Sequence, residues 1–547
     1  MTGAPAGTTL RRPETGGWAA MRRDFRWHIP ARMNIAELCL ERHARAEPGA
    51  TMLIHVAPDG TSREWSRQEI SRASNRFANA LRAAGVARGD RVGLMLSQGP
   101  EVLIAHMAIF KLGAVSLPLF TLFGPDALAY RLKDSGARVV VTDRDNLDKL
   151  PGQGAPNGAG VVFCTDPGPQ PAGVRDFWAD LGAASDRFAM LDTAADDPAV
   201  LIYTSGTTGS PKGVLHAHRF LLGHMPLNEL SHGFFPQPGD RGWTPADWAW
   251  IGGLMDLAMP CLLHGVPLVS CRMRKFDPGA ALGLMARHGV RNSFLPPTAL
   301  RLMRHEPVPG GLRLRSIASG GESLGADLLD WGSSRLGVEI NEIYGQTECN
   351  LVIGTCRQLE PVPEGTMGRA VPGHDVAIID AAGQPLPPGE LGEIAVRAPD
   401  PVMFLQYWGK PDETAAKFDG EWMRTGDLGR CDETGLFTFE GRDDDVITSA
   451  GYRIGPTEIE NCVLTHPDVI AAAAVGVPDA RRTEIVKLFA VLRPGASREG
   501  LEEALVEMVR SRVSPHVAPR AVEWIDSLPT TATGKVMRRA LRDRDIP

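Results

Sequence analysis

The chain has 547 residues, 43% apolar and 22% charged, with a formal net charge of −7. That length exceeds one ordinary core and asks for two or more domains. The mild acidic balance gives no footprint for nucleic acid or an anionic membrane, and no window approaches the roughly 20 apolar residues of a membrane span. Eight scattered cysteines (Cys39, Cys164, Cys261, Cys271, Cys349, Cys356, Cys431, Cys462) form no C-x-x-C pair, which argues against a metal site and a disulfide framework and fits a reducing cytoplasm. In chain order, residues 1–32 carry Arg11-Arg12 and Arg22-Arg23 with no signal-length apolar stretch behind them, which argues against a secretory or twin-arginine signal; Pro13, Gly16 and Gly17 interrupt any helix, which weakens a transit peptide, and the expectation is a flexible segment.

A helical stripe follows at Ile70, Ala73, Phe77, Leu81 and Ala84, with Gly85 as its cap. Short apolar runs at Val92–Leu96, Val115–Leu119, Val139–Thr142, Val161–Cys164 and Val200–Tyr203 read as strands, with helices such as Glu101–Lys111 between several of them. This alternation predicts an α/β fold with a large multi-layer N-terminal domain. Residues 151–173, rich in Gly and Pro, read as a surface excursion. Near Gly441–Asp445 the texture changes. Elements at Pro456–His466, Val469–Gly476, Glu484–Leu492 and Leu501–Val513 predict a small, mobile α+β lid domain. The expected division is 1–32, then 33–443, then 444–547, hinged at Asp444.

The most informative run is Tyr203-Thr-Ser-Gly-Thr-Thr-Gly-Ser-Pro-Lys-Gly-Val214. Gly206 and Gly209 let the backbone bend, the hydroxyls of Thr204, Ser205, Thr207 and Thr208 offer donors to phosphate oxygens, and Lys212 adds positive charge. The spacing is not that of a Walker A loop. Three further motifs follow: Asn341-Glu-Ile-Tyr-Gly-Gln-Thr-Glu348, Trp422-Met-Arg-Thr-Gly-Asp-Leu-Gly-Arg430 and Pro529-Thr-Thr-Ala-Thr-Gly-Lys535. Together the four resemble the signature motifs of the adenylate-forming superfamily. Thr244–Gly253 and Ser449–Pro456 are most similar to the acetyl- and medium-chain acyl-CoA synthetases within it.

The resemblance implies a two-step ligase with ATP, Mg2+ and coenzyme A. A carboxylate attacks the α-phosphate to give acyl-adenylate and pyrophosphate, and coenzyme A then displaces AMP. It implies that Lys212 and loop 205–209 hold the β- and γ-phosphates, that Thr347 and Glu348 approach the α-phosphate and the magnesium ion, and that Asp427 accepts the ribose hydroxyls beside Arg442. Gly321, Glu322 and Ser323 would form one adenine wall and Glu342, Ile343 and Tyr344 the other, with Gln346 also at the nucleotide site. Lys535 would bridge the incoming carboxylate and the α-phosphate, a charge that a lysine acetyltransferase would remove. After the lid swings, Gly451 would line the thiol path, Tyr452 would stand beside it at the coenzyme A site, and Arg453, Arg482 and Arg510 would contact coenzyme A phosphates. Trp250 and Ile251 fall at the acyl pocket, while Trp248 and Trp250 are equally open to a core-packing role. Acetyl-CoA synthetases carry Trp before their Gln-Thr-Glu. Gly345 stands there in this chain, which implies room for acids of four or more carbons. The acid stays open between aliphatic and aryl, a carrier-protein-loading adenylation enzyme remains the alternative, and the oligomeric state is not fixed.

Overall fold

The computed structural model describes residues 10, 12–151, 160–204, 211–322, 324–442, 445, 447–449, 452–479, 483–513, 515, 517–531 and 536–545. The helical stripe becomes the helix Arg67–Ala83. It starts because Ser66 Oγ accepts from the Glu69 amide while the Glu69 carboxylate accepts from the Ser66 amide, at 3.2 and 2.8 Å. It ends at Gly85, whose φ of +86° suits only a residue without a Cβ. Ile70, Phe77 and Leu81 are its buried face.

The five apolar runs all form strands of one sheet. Its order is Gln406–Tyr407, Lys212–Ala217, Pro198–Thr204, Val115–Pro118, Arg91–Met95, Val139–Thr142, Val161–Cys164, Val174–Asp176. Arg91–Met95 pairs in parallel with both neighbours, as expected for strands apolar on both faces. Pro198–Thr204 and Lys212–Ala217 are antiparallel, so the glycine-rich loop joins their ends. A second sheet carries the parallel run Gly242–Trp243, Asn292–Phe294, Ser316–Gly320, Ile340–Tyr344, which turns antiparallel at Ile353–Gly354. Ligands in open α/β sheets collect beyond the carboxyl ends of such strands, and that is where Gly321 and Gly345 stand.

The N-terminal expectation differs from what is observed. Gly17–Asp24 is a helix, with Gly16 in the left-handed region at its start. Trp18 and Met21 are buried. Trp18 Nε1 donates to the Ala370 carbonyl at 2.9 Å and Trp27 Nε1 to that of Gly373 at 2.8 Å. The glycines begin this helix instead of interrupting it, and two indoles anchor the segment to the large domain.

The second sheet runs through Trp422–Cys431 and Leu436–Arg442, and beyond Asp445 the chain enters a separate five-stranded sheet. Val469–Asp479 and Thr483–Leu492 form its central hairpin. Their side chains alternate between faces. Ala472, Ala474, Leu488 and Ala490 pack in one cluster with Leu501, Leu505 and Val509, while Ala473, Val475 and Phe489 pack in the other with Leu541. The domains meet where a Cβ on Gly455 would lie 2.1 Å from the Glu440 carbonyl oxygen, so only glycine permits that approach.

Candidate active site

A cleft of about 1290 Å³ opens at the carboxyl ends of the parallel strands, and the helix Arg538–Arg542 of the small domain contributes to its wall. Thr204, Lys212, Trp250, Ile251, Gly321, Glu322, Ile343, Gly345, Gln346, Thr347, Glu348 and Arg442 all line it. Thr425 and Thr531 line it as well, so all four signature motifs converge on one space. Ser205, Gly206, Thr207, Thr208, Gly209, Ser323, Asp444, Gly451, Arg482 and Lys535 lie outside the described residues, as do the side chains of Tyr452 and Arg453.

Lys212 begins its strand and reaches Glu413 at 2.6 Å, with its ammonium 4.9 Å from the centre of the Tyr407 ring. Its hydrogen bond holds the Glu413 carboxyl below the ordinary range. Tyr407 sits on the neighbouring edge strand and donates to Glu348 Oε1 at 2.6 Å. Burial, then the Glu348 charge, pushes the Tyr407 phenol far up, so it stays a donor. Glu348 is thereby aimed into the cleft with no ion pair within 4 Å among the described residues, a hard oxygen ligand for a divalent ion. Those residues hold no group of three or more His, Cys, Asp or Glu side chains that would cage a metal. A single carboxylate would suit Mg2+, which takes few protein ligands and keeps several waters.

Asp427 and Tyr344 stand just behind the wall. Asp427 Oδ2 accepts from Tyr344 Oη at 2.7 Å and Gln346 Nε2 at 2.6 Å, and Oδ1 lies 3.3 Å from Arg442 Nη1. Strand register explains the last contact, since Asp427 and Arg442 are directly opposite in their hairpin. Burial, with Asp427 alongside, pushes the Tyr344 phenol up.

Glu342 is also behind the wall. Burial pushes its carboxyl up to about 7, against the pull of Arg357 3.9 Å away and a hydrogen bond from the Leu324 backbone. A carboxyl raised in the folded state destabilises as pH climbs: the cost is absent below the unfolded value of 4.5 and complete above about 7. A shift of that size corresponds to about 3 kcal/mol. Glu342→Gln should therefore raise Tm relative to wild type more at about pH 8 than at about pH 5. Equal differences at the two pH values would refute the buried-charge account.

Trp248 and Trp250 divide the roles left open for them. Trp248 is core, 2% exposed, whereas Trp250 lines the cleft with its ring 5.5 Å from that of Phe294. Arg510 is not brought to the cleft wall. It lies on the exposed side of the helix Leu501–Arg512 and pairs with Glu507 at 2.9 Å.

The sequence reading missed several wall residues. Lys417 reaches the cleft because the short hairpin at Phe418–Asp419 folds it back, its ammonium donating to the Thr425 carbonyl at 3.3 Å. Burial lowers its pKa while Glu348 and Asp427 oppose that. The Asp419-Gly420 pair, with φ +57° at the glycine, is the turn signal that gives this position away. Arg538 and Arg542 share one helix face four residues apart. Both clamp Asp445, at 3.2 and 3.0 Å, and Arg538 also holds Glu460 at 2.7 Å.

Known proteins agree with this arrangement. Residues 40–408 match the AMP-binding enzyme family and residues 458–535 the AMP-binding enzyme C-terminal domain. The chain belongs to the AMP-binding enzyme family, within the adenylate-forming superfamily, and is an AMP-forming CoA ligase. Among its relatives, the mitochondrial acyl-coenzyme A synthetase ACSM2 of Rattus norvegicus is 32% identical over 94% of this chain and 92% of its own. Acetyl-coenzyme A synthetase of Bacillus subtilis (strain 168) is 31% identical over 96% and 93%. Of solved structures, the anthranilate CoA ligase AuaEII with anthranoyl-AMP superposes with a TM-score of 0.85 at 27% identity, covering 94% of this chain and 98% of that one. Among the described residues no helix is long and apolar enough to cross a membrane.

Proposed function

We propose that this ligase activates a carboxylic acid of four or more carbons, aliphatic or aromatic, and passes it to coenzyme A. The observation that carries the reading is one cleft with two kinds of lining. Thr204, Lys212, Thr347, Glu348, Lys417 and Arg442 supply hydroxyls and charge, while Phe120, Ile202, Trp250, Ile251 and Phe294 supply apolar and aromatic surface. The first group suits nucleotide phosphates and the second an acyl group longer than acetyl. Each buried methylene contributes about 0.8 kcal/mol.

In the first half-reaction the acid's carboxylate oxygen bonds to the α-phosphorus and pyrophosphate leaves. Lys212 exchanges Glu413 for phosphate oxygens, Thr347 orients the α-phosphate, and Asp427, held by Tyr344, Gln346 and Arg442, receives the ribose. Magnesium, on Glu348, would neutralise phosphate charge. Lys535 serves the adenylation step, and its acetylation would remove the bridging charge. In the second, the thiol of coenzyme A replaces AMP along the segment containing Gly451, Tyr452 and Arg453, with Arg482 on its phosphates.

Pyrophosphate-exchange and thioester assays with acetate, butyrate, hexanoate, octanoate and benzoate test this. At least one acid of four or more carbons should exceed acetate in kcat/KM and yield thioester with free coenzyme A alone. A preference for acetate would overturn the pocket reading. Adenylation with no thioester from free coenzyme A would favour a carrier protein as acceptor.

A further inference from the structure

The apolar side of the cleft contains one group that an aliphatic or plain aryl acid leaves unused. Asp256 lies in the π-helical turn Leu254–Ala258, a widened turn of the kind that often marks functional sites. Its side chain lines the cleft, yet the residue is only 5% exposed. Oδ1 accepts from Asn350 Nδ2 at 2.7 Å, while Oδ2 meets no donor, and no Lys, Arg or His pairs with the carboxyl among the described residues. Asn350 lines the same space.

Aromatic surface lies one helical turn away. Gly252 is four residues earlier on the same helical stretch, and a Cβ there would lie 2.9 Å from the Trp250 ring and 3.0 Å from that of Phe294. A buried carboxyl is costly unless something hydrogen-bonds it. Burial accordingly drives its pKa well above the carboxylate range, with the Asn350 contact opposing.

Building on the reading that the acid has four or more carbons, we propose that Asp256, oriented by Asn350, selects acids that carry a hydroxyl or amino group at the end remote from the reacting carboxylate. The substrate's own carboxylate finds no cation at Asp256 among the described residues. It belongs with Lys212, Lys417 and Arg442, which leaves the other end of the molecule to reach the buried acid. Donor and acceptor then satisfy each other in a water-poor slot, and a substrate without the donor strands the Asp256 carboxyl. Sites that hydrogen-bond a substrate group reject analogues lacking it far more strongly than apolar pockets reject a missing methylene.

The test uses matched acids: benzoate against its 3- and 4-hydroxy and 3- and 4-amino forms, and hexanoate against 6-hydroxy- and 6-aminohexanoate. Thioester formation is measured for wild type, Asp256→Leu and Asp256→Asn. In wild type, at least one substituted acid should exceed its plain counterpart in kcat/KM by about 10²-fold or more. That ratio should fall at least about tenfold in Asp256→Leu. Asp256→Asn keeps a neutral acceptor, so it should retain more preference for hydroxyl than for amino acids. Plain acids matching or beating every substituted partner would overturn the inference, as would an unchanged ratio in Asp256→Leu. Should that variant not fold, the wild-type and Asp256→Asn ratios decide. If no acid in either set is adenylated, the reading of an acid with four or more carbons itself falls, and this inference with it.

Discussion

Lys535→Ala is expected to abolish acyl-adenylate formation while largely sparing thioester formation from acyl-adenylate supplied ready-made. The first half-reaction concentrates negative charge on the α-phosphate and its new oxygen ligand, and a lysine that meets that charge contributes more in the transition state than in the ground state. Removing such a contact costs on the order of 10²-fold or more. The residues on either side of its loop support the assignment, since Thr531 and Val536 both line the cleft. An isolated bridge between Thr530 and Val536 closes the base of the segment. The second half-reaction attacks a carbonyl whose phosphate is already esterified, so the bridging charge is no longer required. The measurements are pyrophosphate exchange for the first step and AMP release from synthetic acyl-adenylate plus coenzyme A for the second. Parallel losses in both would mean that Lys535 is structural or serves both steps.

The strands of the first sheet were legible because burial on both faces makes each a short continuous apolar run. Val139–Thr142 and Val161–Cys164 have the expected bounds to the residue. The four signature motifs were legible for a different reason: each is a local string whose residues stay together when the chain folds. Contacts between strings were not. Tyr407 reaches Glu348 only through pairing of Gln406–Tyr407 with Lys212–Ala217. Asp256 carries no local signal in its apolar stretch, and its hydrogen-bond partner Asn350 arrives from 94 residues away. The N-terminal helix was missed because its stability comes from tertiary contacts of Trp18 and Arg22 to Ala370, which no local propensity reports.

Gly345→Ala, the smallest change available there, is expected to depress activity with every acid together. An absent indole implied that Gly345→Trp would shorten the pocket and remove longer acids first. The backbone contradicts that use of the position in this chain. A Cβ on Gly345 would stand 2.4 Å from the Leu351 amide nitrogen and 2.6 Å from the Asn350 Cα, contacts with main-chain atoms that no rotamer relieves. The loop between them is tightly tied: Gln346 and Cys349 exchange backbone hydrogen bonds at 3.0 and 3.1 Å, and Leu351 has a φ of +57°. Opening it to admit a methyl group would move Gln346 off Asp427 and shift Thr347 and Glu348. It would also displace Asn350, which holds Asp256. Misplacing catalytic groups by about 1 Å can cost about 10²-fold, so kcat/KM should fall by that order for acetate and for longer acids alike. Gly345→Trp should lose more, with a lower Tm. Wild-type activity in Gly345→Ala would remove the backbone argument. A Gly345→Trp enzyme that kept acetate and lost only longer acids would restore the indole-sized pocket.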